Sequence, residues 1–244
     1  MLGLMQDWPL TVDRILDHAR NNFPRREGVT RSVEGPISRT TYGNIWRRAK
    51  QVTNALMERG IQLGDRVATL AWNTERHLEA WYGTMGMGAV LHTVNPRLFP
   101  DQIAWIMNHA EDKILFFDST FLPIVEKIAP LLNTVQTYVA LTDRANTPKS
   151  SVTHIVAYED FIEGQSEEAR WGGFDENTAC GLCYTSGTTG VPKGVLYSHR
   201  SNVIHSMPAN QTDVFGCGAN DVVLPIVPMF HANAWAIAFV APMC

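Results

Sequence analysis

Apolar positions recur along this chain at two spacings. Between Thr41 and Arg59, Ile45, Ala49, Val52 and Leu56 line one face at helical spacing, and Gly60 is placed to end the helix. Thr11 to Asn22 reads as a second helix, with Thr11 as N-cap and Val12, Ile15, Leu16 and Ala19 on one face. Thr74 to Met85 and Asp101 to Ala110 are further helices. Phe121 to Leu132 is restricted by Pro123 and Pro130. Between these lie short runs apolar at successive positions: Val67–Ala71, Ala89–Val94, Ile114–Phe117, Tyr138–Leu141 and Val222–Val227. Strands apolar on both faces belong in a parallel sheet covered by helices. The alternation therefore predicts an α/β fold, doubly wound, with largely parallel sheets and flanking helices. Thr142–Ser151 and Glu163–Gly173 read as surface loops.

Composition narrows the class. The 244 residues are 45% hydrophobic and 18% charged, with a formal net charge of −4, which suits a globular protein. Lys and Arg form no clustered footprint, so no nucleic-acid partner is expected. The first residues lack a basic region followed by a long apolar core, so no signal peptide is read. The longest apolar run, Ala234 to Cys244, is too short to span a bilayer, and no transmembrane segment is expected.

Four cysteines are present: Cys180, Cys183, Cys217 and Cys244. Cys180-x-x-Cys183 has the spacing of half a zinc site or of a redox pair; a zinc site needs a second pair or suitably placed histidines, and Cys217 and Cys244 are isolated. Two small apolar side chains on a buried strand is the reading preferred. A reducing, cytoplasmic compartment follows.

The densest chemistry lies in Tyr184-Thr185-Ser186-Gly187-Thr188-Thr189-Gly190-Val191-Pro192-Lys193-Gly194, between two strand-like runs. Gly187, Gly190 and Gly194 lack a Cβ, so the backbone can turn sharply and approach a ligand. Exposed amides in such a turn form an anion-binding concavity. Thr185, Ser186, Thr188 and Thr189 add neutral donors, and Lys193 adds a point charge. A Walker A loop is excluded, because Pro192 and Gly194 stand where it needs a glycine and a hydroxyl. Gly83-Thr84-Met85-Gly86-Met87-Gly88 likewise misses the spacing of a dinucleotide fingerprint.

Tyr184 to Gly194 resembles the signature phosphate loop of the acyl-adenylate-forming (AMP-binding) superfamily, which holds acyl-CoA synthetases, firefly luciferase and peptide-synthetase adenylation domains. Ser198–Asn202, Met229–Trp235, Thr40-Thr41-Tyr42 and Gly88–Arg97 also match its pattern, so the resemblance covers essentially the whole chain. Gly88–Leu98 and Phe230–Trp235 look most like the medium- and long-chain fatty-acyl-CoA synthetases, with enzymes acting on methylmercaptopropionate also similar.

The resemblance implies a two-step reaction. ATP and a carboxylate, here a fatty or related acid, give an acyl-adenylate and pyrophosphate. Coenzyme A then displaces AMP to give a thioester. Bringing an anionic carboxylate to a triphosphate requires charge neutralisation by Mg²⁺ and preorganised donors. By resemblance, Thr185 is the metal-side hydroxyl. Ser186, Gly187, Thr188, Thr189, Gly190 and Lys193 hold the β- and γ-phosphates. His231 lies beside the reacting carboxylate, Ala232 lies against the nucleotide, and Trp235 lines or gates the acyl tunnel. For Trp235 an ordinary core position is the competing reading. His199 and His205 are read as structural.

Superfamily members are far longer than this chain. Residues 1–244 are expected to be the N-terminal part of a large adenylation domain, without the later Tyr-Gly-x-Thr-Glu and Thr-Gly-Asp motifs, the C-terminal lid and its lysine. On that reading the chain alone is inactive, and the complete enzyme is expected to be a homodimer. The competing function is a truncated, non-catalytic ATP-binding or assembly module.

Overall fold

The computed structural model describes residues 1, 3–5, 7–185 and 192–244. In chain order its helices are α1 (Asp13–Asn22), α2 (Tyr42–Glu58), α3 (Glu75–Gly86), α4 (Pro100–Ala110), α5 (Leu122–Ile128), α6 (Tyr158–Ile162), α7 (His199–Ala209) and α8 (Ile237–Met243). Its strands are β1 (Glu27–Arg31), β2 (Ile37–Thr41), β3 (Arg66–Leu70), β4 (Val90–Thr93), β5 (Ile114–Phe117), β6 (Thr137–Ala140), β7 (Ile155–Ala157), β8 (Ala179–Thr185) and β9 (Lys193–Ser198).

β1 and β2 form an antiparallel hairpin. The other seven strands make one sheet in the order β7-β6-β5-β3-β4-β8-β9, parallel from β7 to β8 and antiparallel between β8 and β9. Successive residues of each strand feed opposite layers. Val67, Ile114, Phe116 and Val139 pack with α2, α3 and α6 on one face. Ala68, Leu70, Leu115, Phe117 and Ala140 pack with α4 and α5 on the other. This is why the strands read as continuous apolar runs: the doubly wound α/β expectation holds.

Local chemistry sets the element ends. The Thr41 side chain accepts from the Asn44 amide and the Thr74 side chain from the His77 amide, capping α2 and α3. Gly60, at φ +79°, closes α2, with its amide on the Met57 carbonyl. The run Gly83-x-x-Gly86-x-Gly88 serves packing. A Cβ at Gly83 would stand 2.7 Å from the Ala49 carbonyl oxygen of α2 and 2.7 Å from Val52 Cβ, and one at Gly86 would stand 2.5 Å from the Trp171 ring.

Three expectations are corrected. Thr11 does not cap α1: Val12 is the N-cap, in helical geometry and without a side-chain cap, while Thr11 only lends its carbonyl to the Arg14 amide. Phe121–Leu132 is not one helix but α5 between two 3₁₀ turns, Ser119–Phe121 and Ala129–Leu131, because Pro130 removes a backbone donor. Val222–Val227 is not a strand of the sheet. Pro225 has no N–H to give a ladder, and the Pro225 and Val227 carbonyls accept from Asn73 Nδ2 at 3.0 and 2.9 Å. The segment keeps period-two alternation, with Val222, Leu224 and Ile226 turned out at 97%, 80% and 86% exposure.

Candidate functional site

β8 carries the phosphate-type sequence off the parallel sheet and β9 brings it back. Their antiparallel register sets Thr185 opposite Lys193 and Tyr184 opposite Gly194. Thr185 and Lys193 are both exposed, and the Thr185 hydroxyl donates to the Lys193 carbonyl at 3.5 Å. The structure therefore joins the two ends of the candidate loop, one hydroxyl beside one cation. Ser186, Gly187, Thr188, Thr189 and Gly190 lie outside the described residues. The hairpin leaves the carboxyl edge of the parallel strands, where open α/β sheets place their ligands.

The His231–Trp235 segment reaches the same edge. Asn233, buried, accepts from the Thr93 hydroxyl at 3.1 Å and from the Cys183 thiol at 3.0 Å. Thr93 ends β4, and Cys183 pairs with it across the sheet, two residues before Thr185. A single carboxamide thus pins the segment to the strand ends that launch the hairpin. Ala232 through Ala236 all have φ between +46° and +62°. A left-handed turn of non-glycine residues costs on the order of 1–2 kcal/mol per residue, so the packing around it must offset that strain. Ala234 and Ala236 are buried under it, while His231, Ala232 and Trp235 face outward. Trp235 is 61% exposed in this chain. No hydrogen bond joins Lys193 to His231 among the described residues; the link runs through β8 and Asn233.

Cys180, Cys183 and His199 are packed into the interior, whereas His205 is exposed on α7. Cys180 and Cys183 are buried on β8, and burial pushes the Cys180 thiol up to about 12. Asn202 donates to Cys180 at 3.1 Å. His199 is fully buried and accepts from the Val12 amide at 3.2 Å, and burial holds it neutral with a pKa of about 4.

Sequence reading missed the supports beneath the loop. Tyr184 Oη lies 2.6 Å from His109 Nδ1, and His109 stacks on Trp105 at 4.8 Å between ring centroids. His92 Nδ1 lies 2.7 Å from Asp112 Oδ2, both side chains fully buried, and the His92 ring packs 5.1 Å from that of Tyr184. Only the period of α4, which sets Trp105 and His109 one turn apart, hinted that these two share a face.

Comparison with known proteins follows the same outline. The family described as AMP-binding enzyme matches residues 16–244. The 3-methylmercaptopropionyl-CoA ligase of Ruegeria lacuscaerulensis is 48% identical over 235 residues, which are 96% of this chain and 44% of that protein. The medium-chain-fatty-acid–CoA ligase of Ectopseudomonas oleovorans is 43% identical over 243 residues, nearly the whole of this chain and 44% of that protein. The chain thus spans less than half the length of these relatives. Among solved structures, the anthranilate CoA ligase AuaEII in complex with anthranoyl-AMP superposes with a TM-score of 0.78 over 95% of this chain and 45% of its own, at 22% identity, a likeness of fold.

Proposed function

Since the chain belongs to the AMP-binding enzyme family, we propose that residues 1–244 are the nucleotide-loop part of a large adenylation domain in an ATP-dependent acyl-CoA ligase. The substrate class is a fatty or related carboxylic acid, and the chemistry is adenylation followed by thioester formation with coenzyme A. The observation that carries this reading is the β8–β9 hairpin. It sets Thr185 against Lys193 at the carboxyl edge of the sheet, beside the segment that Asn233 pins there.

In this reading Lys193 neutralises charge on the β- and γ-phosphates, together with Ser186, Gly187, Thr188, Thr189 and Gly190. Mg²⁺ supplies further neutralisation between the two anions when bound. The exposed Thr185 hydroxyl is a hard oxygen donor, which suits a cation that keeps most of its waters. His231, facing outward one turn from Trp235, orients the carboxylate, and Ala232 lies against the nucleotide. Trp235, exposed rather than packed, is free to line the acyl path. Four free thiols suit a reducing, cytoplasmic setting. Among the described residues no helix is long and apolar enough to cross a membrane.

The test joins this chain to the remaining length of the Ruegeria relative and measures pyrophosphate release with a panel of carboxylates. The chimera is expected to release pyrophosphate only with a carboxylate present, favouring medium or long acyl chains or methylmercaptopropionate, and the 244-residue chain alone is expected to release none. Release independent of any carboxylate refutes the assignment.

A further inference from the structure

The phosphate-type hairpin does not stand on the sheet alone; helix α4 reaches across to hold its stem. Tyr184 is the residue immediately before Thr185, and its register partner is Gly194, immediately after Lys193. A Cβ at Gly194 would meet Tyr184 Cζ at 3.3 Å, so the Tyr184 ring fills the space over the glycine and bears on both arms of the stem. On its far side the ring meets Trp105 edge-on, with centroids 6.4 Å apart at 88°, and His109 likewise at 5.8 Å and 85°. The hydroxyl ends 2.6 Å from His109 Nδ1. Trp105 and His109, stacked at 16°, lie one turn apart on α4.

The base of this arrangement is itself fixed. The His92–Asp112 pair lies beneath the Tyr184 ring, and Arg66 bridges to Glu111 at 2.6 Å just past the end of α4. Trp105 and His109 are exposed, so no core packing requires this histidine at the tyrosine hydroxyl.

We propose that Tyr184 and His109 are positioning residues for the nucleotide: their hydrogen bond fixes the stem of the β8–β9 hairpin, and with it the Thr185 hydroxyl and the Lys193 ammonium, at the spacing a triphosphate requires. This rests on the nucleotide-loop reading above. Burial and the nearby Asp112 carboxylate push the Tyr184 phenol up to about 12, so it stays protonated and able to donate across the neutral pH range. The pair acts on phosphate binding; acid binding, which involves the His231–Trp235 segment, does not depend on it.

The test uses the 244-residue chain and MgATP. Binding is measured by calorimetry for the unsubstituted chain, Lys193→Ala, Tyr184→Phe, His109→Leu, His109→Gln and the Tyr184→Phe/His109→Leu double variant, with thermal melts and amide exchange at Thr185 and at 193–195. Tyr184→Phe and His109→Leu should each weaken MgATP binding about 2- to 10-fold, the worth of one net hydrogen bond, and hasten exchange at the stem. The double variant should be no worse than either single, since both remove the same bond. His109→Gln, which keeps a partner for the hydroxyl, should restore most of the affinity. If Lys193→Ala weakens binding but Tyr184→Phe does not, the positioning role is overturned while the nucleotide-loop reading stands. If the two losses add, the residues act separately and the shared clamp is wrong. If the unsubstituted chain binds no MgATP, both fall together.

Discussion

Gly83→Ala tests how closely the two helices under the sheet are packed. Gly83 sits on α3 where it crosses α2, and an added methyl would lie 2.7 Å from the Ala49 carbonyl oxygen, 2.7 Å from Val52 Cβ and 2.7 Å from Val52 Cγ1. Ordinary contact begins near 3.4 Å, so the helices must part by something under 1 Å, and one obstacle is backbone that cannot rotate aside. The same interface holds Thr53, whose hydroxyl donates to the Gly83 carbonyl at 2.6 Å and accepts from Trp171 Nε1 at 2.8 Å. Overpacking of this kind costs about 1–3 kcal/mol, and in a chain of this size each kcal/mol lowers Tm by about 2–4 °C. The better helix propensity of alanine returns about 1 kcal/mol at most, so a net loss of a few degrees is expected. Differential scanning calorimetry against an exposed control, Met57→Ala, reads it. A Tm equal to or above that of the unsubstituted chain would show that α2 and α3 are not in contact at Gly83.

Asp118 offers a pH test. Burial raises its pKa to about 7, although the Trp72 amide donates to it at 2.6 Å. The unfolded chain releases this proton near the ordinary value of 3.8 and the folded chain only near 7, so stability should fall as pH rises between them. Asp118→Asn should flatten that slope in urea titrations at pH 5 and pH 8; an unchanged slope assigns it to other groups. Trp235→Ala should move Tm by no more than about 1–2 °C, because an exposed ring gives up little packing; a drop on the scale of a core tryptophan, about 3–5 kcal/mol, would mean the ring is buried after all. Replacing Val222, Leu224 and Ile226 together with serine should reduce self-association in sedimentation runs, since three apolar side chains along one edge invite pairing; unchanged association places the contact elsewhere.

Regular elements were legible where one local signal fixed them. α2 needed only its apolar stripe and Gly60, with the Thr41 cap added by the structure, and Ile114–Phe117 emerged with the predicted bounds. Local pattern failed where a distant partner decided. Val222–Val227 has a strand's composition, yet its carbonyls are taken by the Asn73 side chain, about 150 positions away in sequence. The phosphate-type segment announced itself by its glycines and hydroxyls, and the structure adds the pairing of its ends. The pin at Asn233 and the clamp at Tyr184 were invisible, because each joins residues far apart in the chain through side chains that fit many roles. The glycines Gly83, Gly86 and Gly88, whose spacing excludes a dinucleotide fingerprint, serve helix packing and a turn.

The nucleotide-loop assignment is tested most directly by titrating MgATP into the 244-residue chain and into Lys193→Ala. Lys193 is exposed at the hairpin stem, so its replacement leaves the fold intact. Saturable binding by the unsubstituted chain is expected, weakened at least about tenfold in the variant at unchanged Tm, as loss of a charge-assisted contact requires. Equal affinity in the two proteins, or no saturable binding in either, contradicts it.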